Sequence, residues 1–234
     1  GIITSGTKKS EAFNEVLKEA KDAGIPVILV DSDVEEAEKL CYIGTDNYEA
    51  GEIAGEDIVA ATGGIGNVAV IVSNLEAENQ KERLEGFQNT IKNYPGIQIV
   101  KVVEGNSDVR ILNECISELL EEEEDLAGVF CAEGYSATSI CQLIKNAKGE
   151  YDDLKVVGFG ISHSKQKNIE EGILYSTIYQ DSYEMGYRAV EALKETMEGK
   201  TVPEVSYTDT KSIKKENMEE INADEGMGAP WHIY

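Results

Sequence analysis

Residues 26–51 read PVILVDSDVEEAEKLCYIGTDNYEAG. An apolar, β-branched run, PVILV, stops on Asp31. An acidic stretch follows. A second short run, CYIGT, then stops on Asp46 and Asn47 and passes into a segment of helical period. Strands of a parallel sheet present their carboxyl ends to ligands, so polar residues at these two ends read as the rim and hinge of a small-ligand cleft. No catalytic partner stands near either end.

The alternation continues along the chain. Strands are predicted at Ile2–Thr4, Pro26–Asp31, Cys41–Gly44, Asn67–Ser73, Gln98–Glu104, Gly128–Ala132, Lys155–Phe159 and Leu174–Gln180. Helices are predicted near Ser10–Asp22, Tyr48–Ala61, Glu76–Asn93, Val109–Glu122, Tyr135–Lys145, Lys165–Glu170 and Ser182–Glu198. The runs VAVIV and LAGVF are almost wholly apolar, as expected of strands covered by helices on both faces. Strand–helix–strand repetition gives an α/β fold with parallel sheets. Gly24, Gly63-Gly64 and Pro95-Gly96 punctuate the ends of the first three helices. The segment 222–234 is Gly-rich and irregular, a C-terminal tail.

The 234 residues are 41% hydrophobic and 28% charged, an ordinary globular composition with room for a sizeable core. The formal net charge of −24 repels phosphate backbones and anionic lipid, which argues against nucleic-acid binding. The four cysteines Cys41, Cys115, Cys131 and Cys141 form no CxxC pair and read as small buried hydrophobes. Two histidines, His163 and His232, leave no zinc spacing, and the EEEED run at 121–125 lacks the loop pattern of a calcium site; no metal and no cofactor are expected.

Enzyme signals are thin. There is no GxSxG elbow and no GxxxxGKS/T phosphate loop. The run GGIGNV at 63–68 precedes a strand rather than following one, so it is a helix-end turn and not a dinucleotide fingerprint. The chain reads as a binding module without catalytic residues.

Four stretches then carry a resemblance: AKDAGIPVILVDSD at 20–33, YIGTDNYEAGEIAGE at 42–56, KERLEGFQNTI at 81–91, and VVGFG at 156–160 running on through EEGILYSTIYQDSYEMGYRAVEAL. In this order and spacing the chain resembles type I periplasmic (solute) binding proteins of the ribose- and galactose-binding branch. The resemblance implies two Rossmann-like parallel-sheet lobes joined by a three-stranded hinge. One lobe would hold residues 1–45 and 181–209, the other 46–180 and 210–221. Family members begin with a further strand–helix–strand–helix unit ahead of the match to GIITSG, so the first lobe is expected to be truncated. Ile2–Thr4 would then be a bare sheet edge, open to a second copy of the chain.

The site residues implied by the resemblance are Asp31, Gln180, Lys81, Glu133, Asn79 and Ser5 for ligand, with Asp46, Asn47 and Asp181 at the hinge. Asp31 ends the strand that in the family carries an acceptor for sugar hydroxyls. Ser32 stands where arginine is common. Lys81 stands where a ligand-binding arginine is common, and Arg83 matches a second, more structural arginine. Glu133 and Gly160 replace the usual Asn and Asp, while Gln180 is retained. The rival reading of a polar residue past a strand is a helix cap, which suits Ser5, Ser107 and Ser162 at least as well. Tyr135 and Tyr179 offer faces to a ring or to the core. The function implied is that of an extracytoplasmic solute-binding component of an ABC-type importer or sensor. Its expected partners are a small polar ligand such as a monosaccharide and a membrane permease or receptor. The rival functions are the effector core of a LacI-type regulator and a hydrolase on the same scaffold.

Overall fold

A computed structural model describes residues 1–6, 10–34, 36–106, 108–123, 125–147, 149–219 and 221. Ser107 and the tail 222–234, with His232, lie outside the described residues. The chain runs β1 (Ile2–Thr4), α1 (Glu11–Asp22), β2 (Val27–Val30), β3 (Cys41–Thr45), α2 (Asn47–Thr62), β4 (Gly66–Val72), α3 (Glu78–Ile91), β5 (Ile97–Glu104) and α4 (Val109–Glu122). It continues through β6 (Leu126–Cys131), α5 (Ser136–Asn146), β7 (Lys155–Phe159), α6 (His163–Glu170), β8 (Ser176–Gln180), α7 (Ser182–Met197), β9 (Val205–Thr208) and β10 (Thr210–Ile213).

Two sheets result, with strand orders β1-β2-β3-β9 and β10-β8-β7-β6-β4-β5. Pairing is parallel except between β10 and β8. Side chains alternate across each strand. In the first sheet Val27 and Leu29 pack with Leu17 and Ala20 of α1, while Ile28, Cys41 and Ile43 pack with Met185, Ala189 and Ala192 of α7. In the second sheet Val68, Val70 and Val72 join Ala54, Ile58 and Phe87 of α2 and α3, and Ala69 and Ile71 join Ile116, Leu119 and Ile140 of α4 and α5. Polar side chains start the helices. Ser10, Asp46, Asp108, Ser162 and Asp181 each accept a first-turn N–H.

The backbone passes between the sheets at 45–47, 180–182 and 208–210. The three passages lie side by side, because Thr45 pairs with Thr208 and Gln180 with Thr210. Thr45 Oγ1 donates to Gln180 Oε1 at 3.2 Å, and Thr208 Oγ1 to the Gly44 carbonyl at 3.3 Å. Strands β9 and β10 fall in a stretch where the sequence predicts none. Strand β2 ends at Val30, one residue early, because Asp31 turns out of the sheet at φ 66°. Strand β1 forms one edge of its sheet, with Ile2 and Ile3 exposed.

Close packing of α2 on α3 places the residues that matter for the site. A Cβ on Gly51 would lie 2.1 Å from the Arg83 carbonyl, and one on Gly86 2.0 Å from that of Tyr48. Only glycine permits this approach. Two of the quoted stretches, YEAGEIAGE and KERLEGF, therefore interlock at their glycines.

Candidate functional site

The loops after β2, β6 and β7 carry Asp31-Ser32, Glu133-Gly134 and Gly160, all just past the carboxyl ends of parallel strands. Arg83 is the charged centre between these ends and the hinge. It shares one face of α3 with Gln80 and Phe87 and is buried. Its Nε donates to Asn47 Oδ1 at 2.9 Å, one terminal nitrogen to the Ala132 carbonyl at 2.8 Å, and its guanidinium lies 3.5 Å from the Phe159 ring centroid. Burial lowers its pKa to about 10, against the pull of Asp31, Tyr42, Glu82 and Glu133. It remains a cation at neutral pH, and these acids surround it.

Asp31 is half-buried. Its carbonyl accepts from the Tyr42 hydroxyl at 3.0 Å, and its carboxylate lies 3.5 Å from Ser32 Oγ. The Tyr42 phenol is pushed up by burial first and by Asp31 and Glu82 next, so it stays a donor. Asn79 Nδ2 donates to Ser32 Oγ at 3.0 Å, a bond that joins α3 on the second sheet to the loop after β2 on the first. Gln180 and Asn47 stand at the passages between sheets. Asn47 is buried and also donates to the Thr45 carbonyl at 3.2 Å. Asp46 and Asp181 serve as helix caps there, accepting from the Glu49 and Glu184 N–H groups at 3.0 and 2.7 Å.

Of the remaining expected ligand residues, Lys81 and Glu133 have other partners. Lys81 lies on the exposed side of α3, where Nζ sits 3.1 Å from Glu78 Oε2. Glu133 is buried and accepts the Tyr135 N–H at 2.7 Å and the Ser136 N–H, so it caps α5. Its charge still faces Arg83 and Lys165. Ser5 follows β1, and its buried hydroxyl has no hydrogen-bond partner among the described residues. Tyr135 is exposed and Tyr179 is buried in the core of the second sheet. The structure thus gathers Asp31, Asn79, Asn47 and Gln180 near the hinge and leaves Lys81 turned outward.

Sequence reasoning missed Lys165. It is buried, and Nζ donates to the Phe159 and Gly160 carbonyls at 2.5 and 3.2 Å, at the end of β7. Burial lowers its pKa, offset by Cys131 and Glu133. A lysine three residues after Ser162, whose hydroxyl caps α6 through the Lys165 N–H, was the available signal. Burial pushes the Cys131 thiol up, and the Cys141 thiol up to about 12, which disfavours their thiolate forms at neutral pH. Among the described residues no group of three or more His, Cys, Asp or Glu side chains is placed to hold a metal ion. The site offers fixed donors and acceptors from two sheets, a constellation for binding a polar molecule.

Residues 1–201 match the family described as periplasmic binding protein domain, and the chain belongs to that family. It is a type I periplasmic binding protein of the ribose-like branch. It is 27% identical over 215 residues to the ribose import binding protein of Escherichia coli (strain K12), covering 92% of this chain and 72% of the relative. A glucose-galactose binding protein from Geobacillus stearothermophilus superposes with a TM-score of 0.87 at 31% identity, covering 93% of this chain and 77% of that one. The XylFII molecule superposes at 0.82 with 32% identity, covering 92% and 77%, and a second structure holds XylFII in complex with LytSN. Among the described residues no helix is long and apolar enough to cross a membrane.

Proposed function

We propose that this chain is an extracytoplasmic binding protein that captures a monosaccharide or a similar small polar ligand between its lobes. It would then deliver that ligand to a membrane permease. The observation that carries the reading is the convergence of Asp31, Asn79, Arg83 and Gln180, from two sheets, beside three adjacent passages of the backbone. In this reading the lobes run approximately 1–45 with 181–209 and 46–180 with 210–221, and rotate about Asp46, Asn47 and Asp181. Ligand that touches both lobes favours the closed state by its differential affinity. Asp31 and Gln180 accept ligand hydroxyls, and Asn79 and Glu133 complete the polar lining. The names of the relatives, a ribose import protein and a glucose-galactose binding protein, support a sugar. The solved complex of XylFII with LytSN supports a second reading, in which the receiver is another polypeptide, such as a receptor, rather than a permease.

Thermal unfolding against pentoses, hexoses and sugar alcohols tests the proposal. A true ligand at a hundredfold excess over Kd adds about 2.7 kcal/mol of stability. Asp31→Ala is expected to cancel most of that shift, and Ser5→Ala little of it. No shift with any sugar, by melting or by calorimetry, overturns the reading.

A further inference from the structure

A hydrogen bond at the edge of the cleft and a cavity beside it link the two lobes. The bond is Asn79 Nδ2 to Ser32 Oγ, 3.0 Å long. The cavity, about 230 Å³, is lined by Asp33, Tyr42, Val205 and Tyr207 of the first lobe and by Glu78 and Glu82 of the second, with Asn47 and Asn79. Carboxylates from both lobes therefore look into one small space.

We infer that Ser32 and Asn79 form a latch that closes the lobes without ligand, and that Glu82, facing Asp33, Glu78 and Asp46, opposes it in a pH-dependent way. Like charges brought together in a partly dehydrated space repel, and the only relief without reopening is to protonate one of them. The surroundings of Glu82 are known from each packed element. On its own helix stand Glu78, which pairs with Lys81 at 3.1 Å, and the buried Arg83. From the loop after β2 comes Asp33, which pairs with Lys39 at 2.9 Å. The passage between sheets supplies Asp46 and Asn47, β3 supplies Tyr42, and β9 supplies Tyr207, whose phenol is raised by burial and then by Asp46, Glu82 and Asp33. The cations are therefore already committed to Glu78, Asp33 and Asn47.

The sign follows from the same geometry. The Glu82 carboxyl is raised above its ordinary 4.5 by burial first, with Glu78, Asp46 and Asp33 adding to the rise and a hydrogen bond with Asn47 opposing it. Closing the lobes supplies that burial, so closing takes up a proton. The contribution to closure is complete below pH 4.5 and is lost as the pH rises through the raised value.

The test uses ligand-free protein. Spin labels enter as non-canonical amino acids at exposed Lys18 on α1 and Glu114 on α4, and pulsed electron resonance reads the distance between lobes from pH 4.5 to 8. The closed population is expected to fall as pH rises. Asn79→Ala, and Ser32→Ala as its counterpart on the other lobe, should lower the closed-to-open ratio about three- to tenfold at every pH, the effect of one neutral hydrogen bond. Glu82→Gln should stay closed and lose the pH dependence. Identical distance distributions at all pH values, unchanged ratios in both latch variants, or a full pH slope in Glu82→Gln would each overturn the inference. The inference rests on the two-lobe reading above. Because no ligand is added, its failure leaves the sugar titration to decide that reading separately.

Discussion

The two sheets are built unequally. The first has four strands of three to five residues, and its two cores are thin. Among the described residues, only Ile28, Leu29 and Ile43 of the largest fully buried side chains belong to it. The second has six strands and holds Phe87 stacked on Phe130 at 5.0 Å between centroids. It also holds a buried carboxylate, Asp57, that accepts from Ser176 and Ser212 and pairs with Lys214 at 2.8 Å. Hydrophobic stabilisation scales with apolar area removed from water, so the second sheet carries most of the stability. The first sheet, with the thinner cores, is therefore expected to open at lower cost.

The sharpest way to break this comparison is to hollow out the stronger side. Phe130→Ala removes a ring with no solvent exposure and its stacking on Phe87, at a cost of about 3–5 kcal/mol. Urea unfolding measures the loss. Hydrogen exchange is expected to show that both sheets lose protection together, because the first rests on the second through the hinge. Protection retained in the first sheet alone would show it to be the independent unit.

A middle-sized effect tests the joint between α2 and α3. Gly86→Ala places a Cβ 2.0 Å from the Tyr48 carbonyl, and relief means separating the two helices. The expected cost is about 1–3 kcal/mol. Moving α3 also moves Arg83 and Asn79, so the same variant should weaken ligand binding. A destabilised variant with native affinity would uncouple the joint from the cleft.

The mildest probe needs no substitution. Cys41 lies in the first sheet, and Cys131 and Cys141 in the second sheet's core; all three are buried, and burial raises each thiol. Cys115 is half-exposed. Thiol labelling at pH 8 followed by mass spectrometry should modify Cys115 first, then Cys41, and the other two only on global unfolding. Equal rates at Cys41 and Cys131 would erase the difference between the sheets.

Most of the fold was legible because its elements are long and periodic. All eight strands and seven helices expected from the pattern are present, with ends that coincide or shift by at most two residues. Strands β9 and β10 were not legible. VSYT and TKSI are four residues each, too short for a period, and their burial is mixed. The site was legible as positions more than as roles. Asp31 could be placed at a strand end, but not its left-handed backbone. Glu133 could be placed past β6, but not its use as a cap for α5.

By itself, the sequence determined the alternation of strands and helices, the glycines that let α2 meet α3, and the polar residues at the strand ends. These are local matters of period, conformational freedom and capping. Tertiary structure alone decided that Arg83 faces inward while Lys81, two residues before it, faces Glu78 and solvent. It also brought Ser32 to Asn79 and Thr45 to Gln180. The physical reason is that a side chain's direction along a helix follows from which face the packing buries, and a bond between distant residues exists only once both lobes have docked.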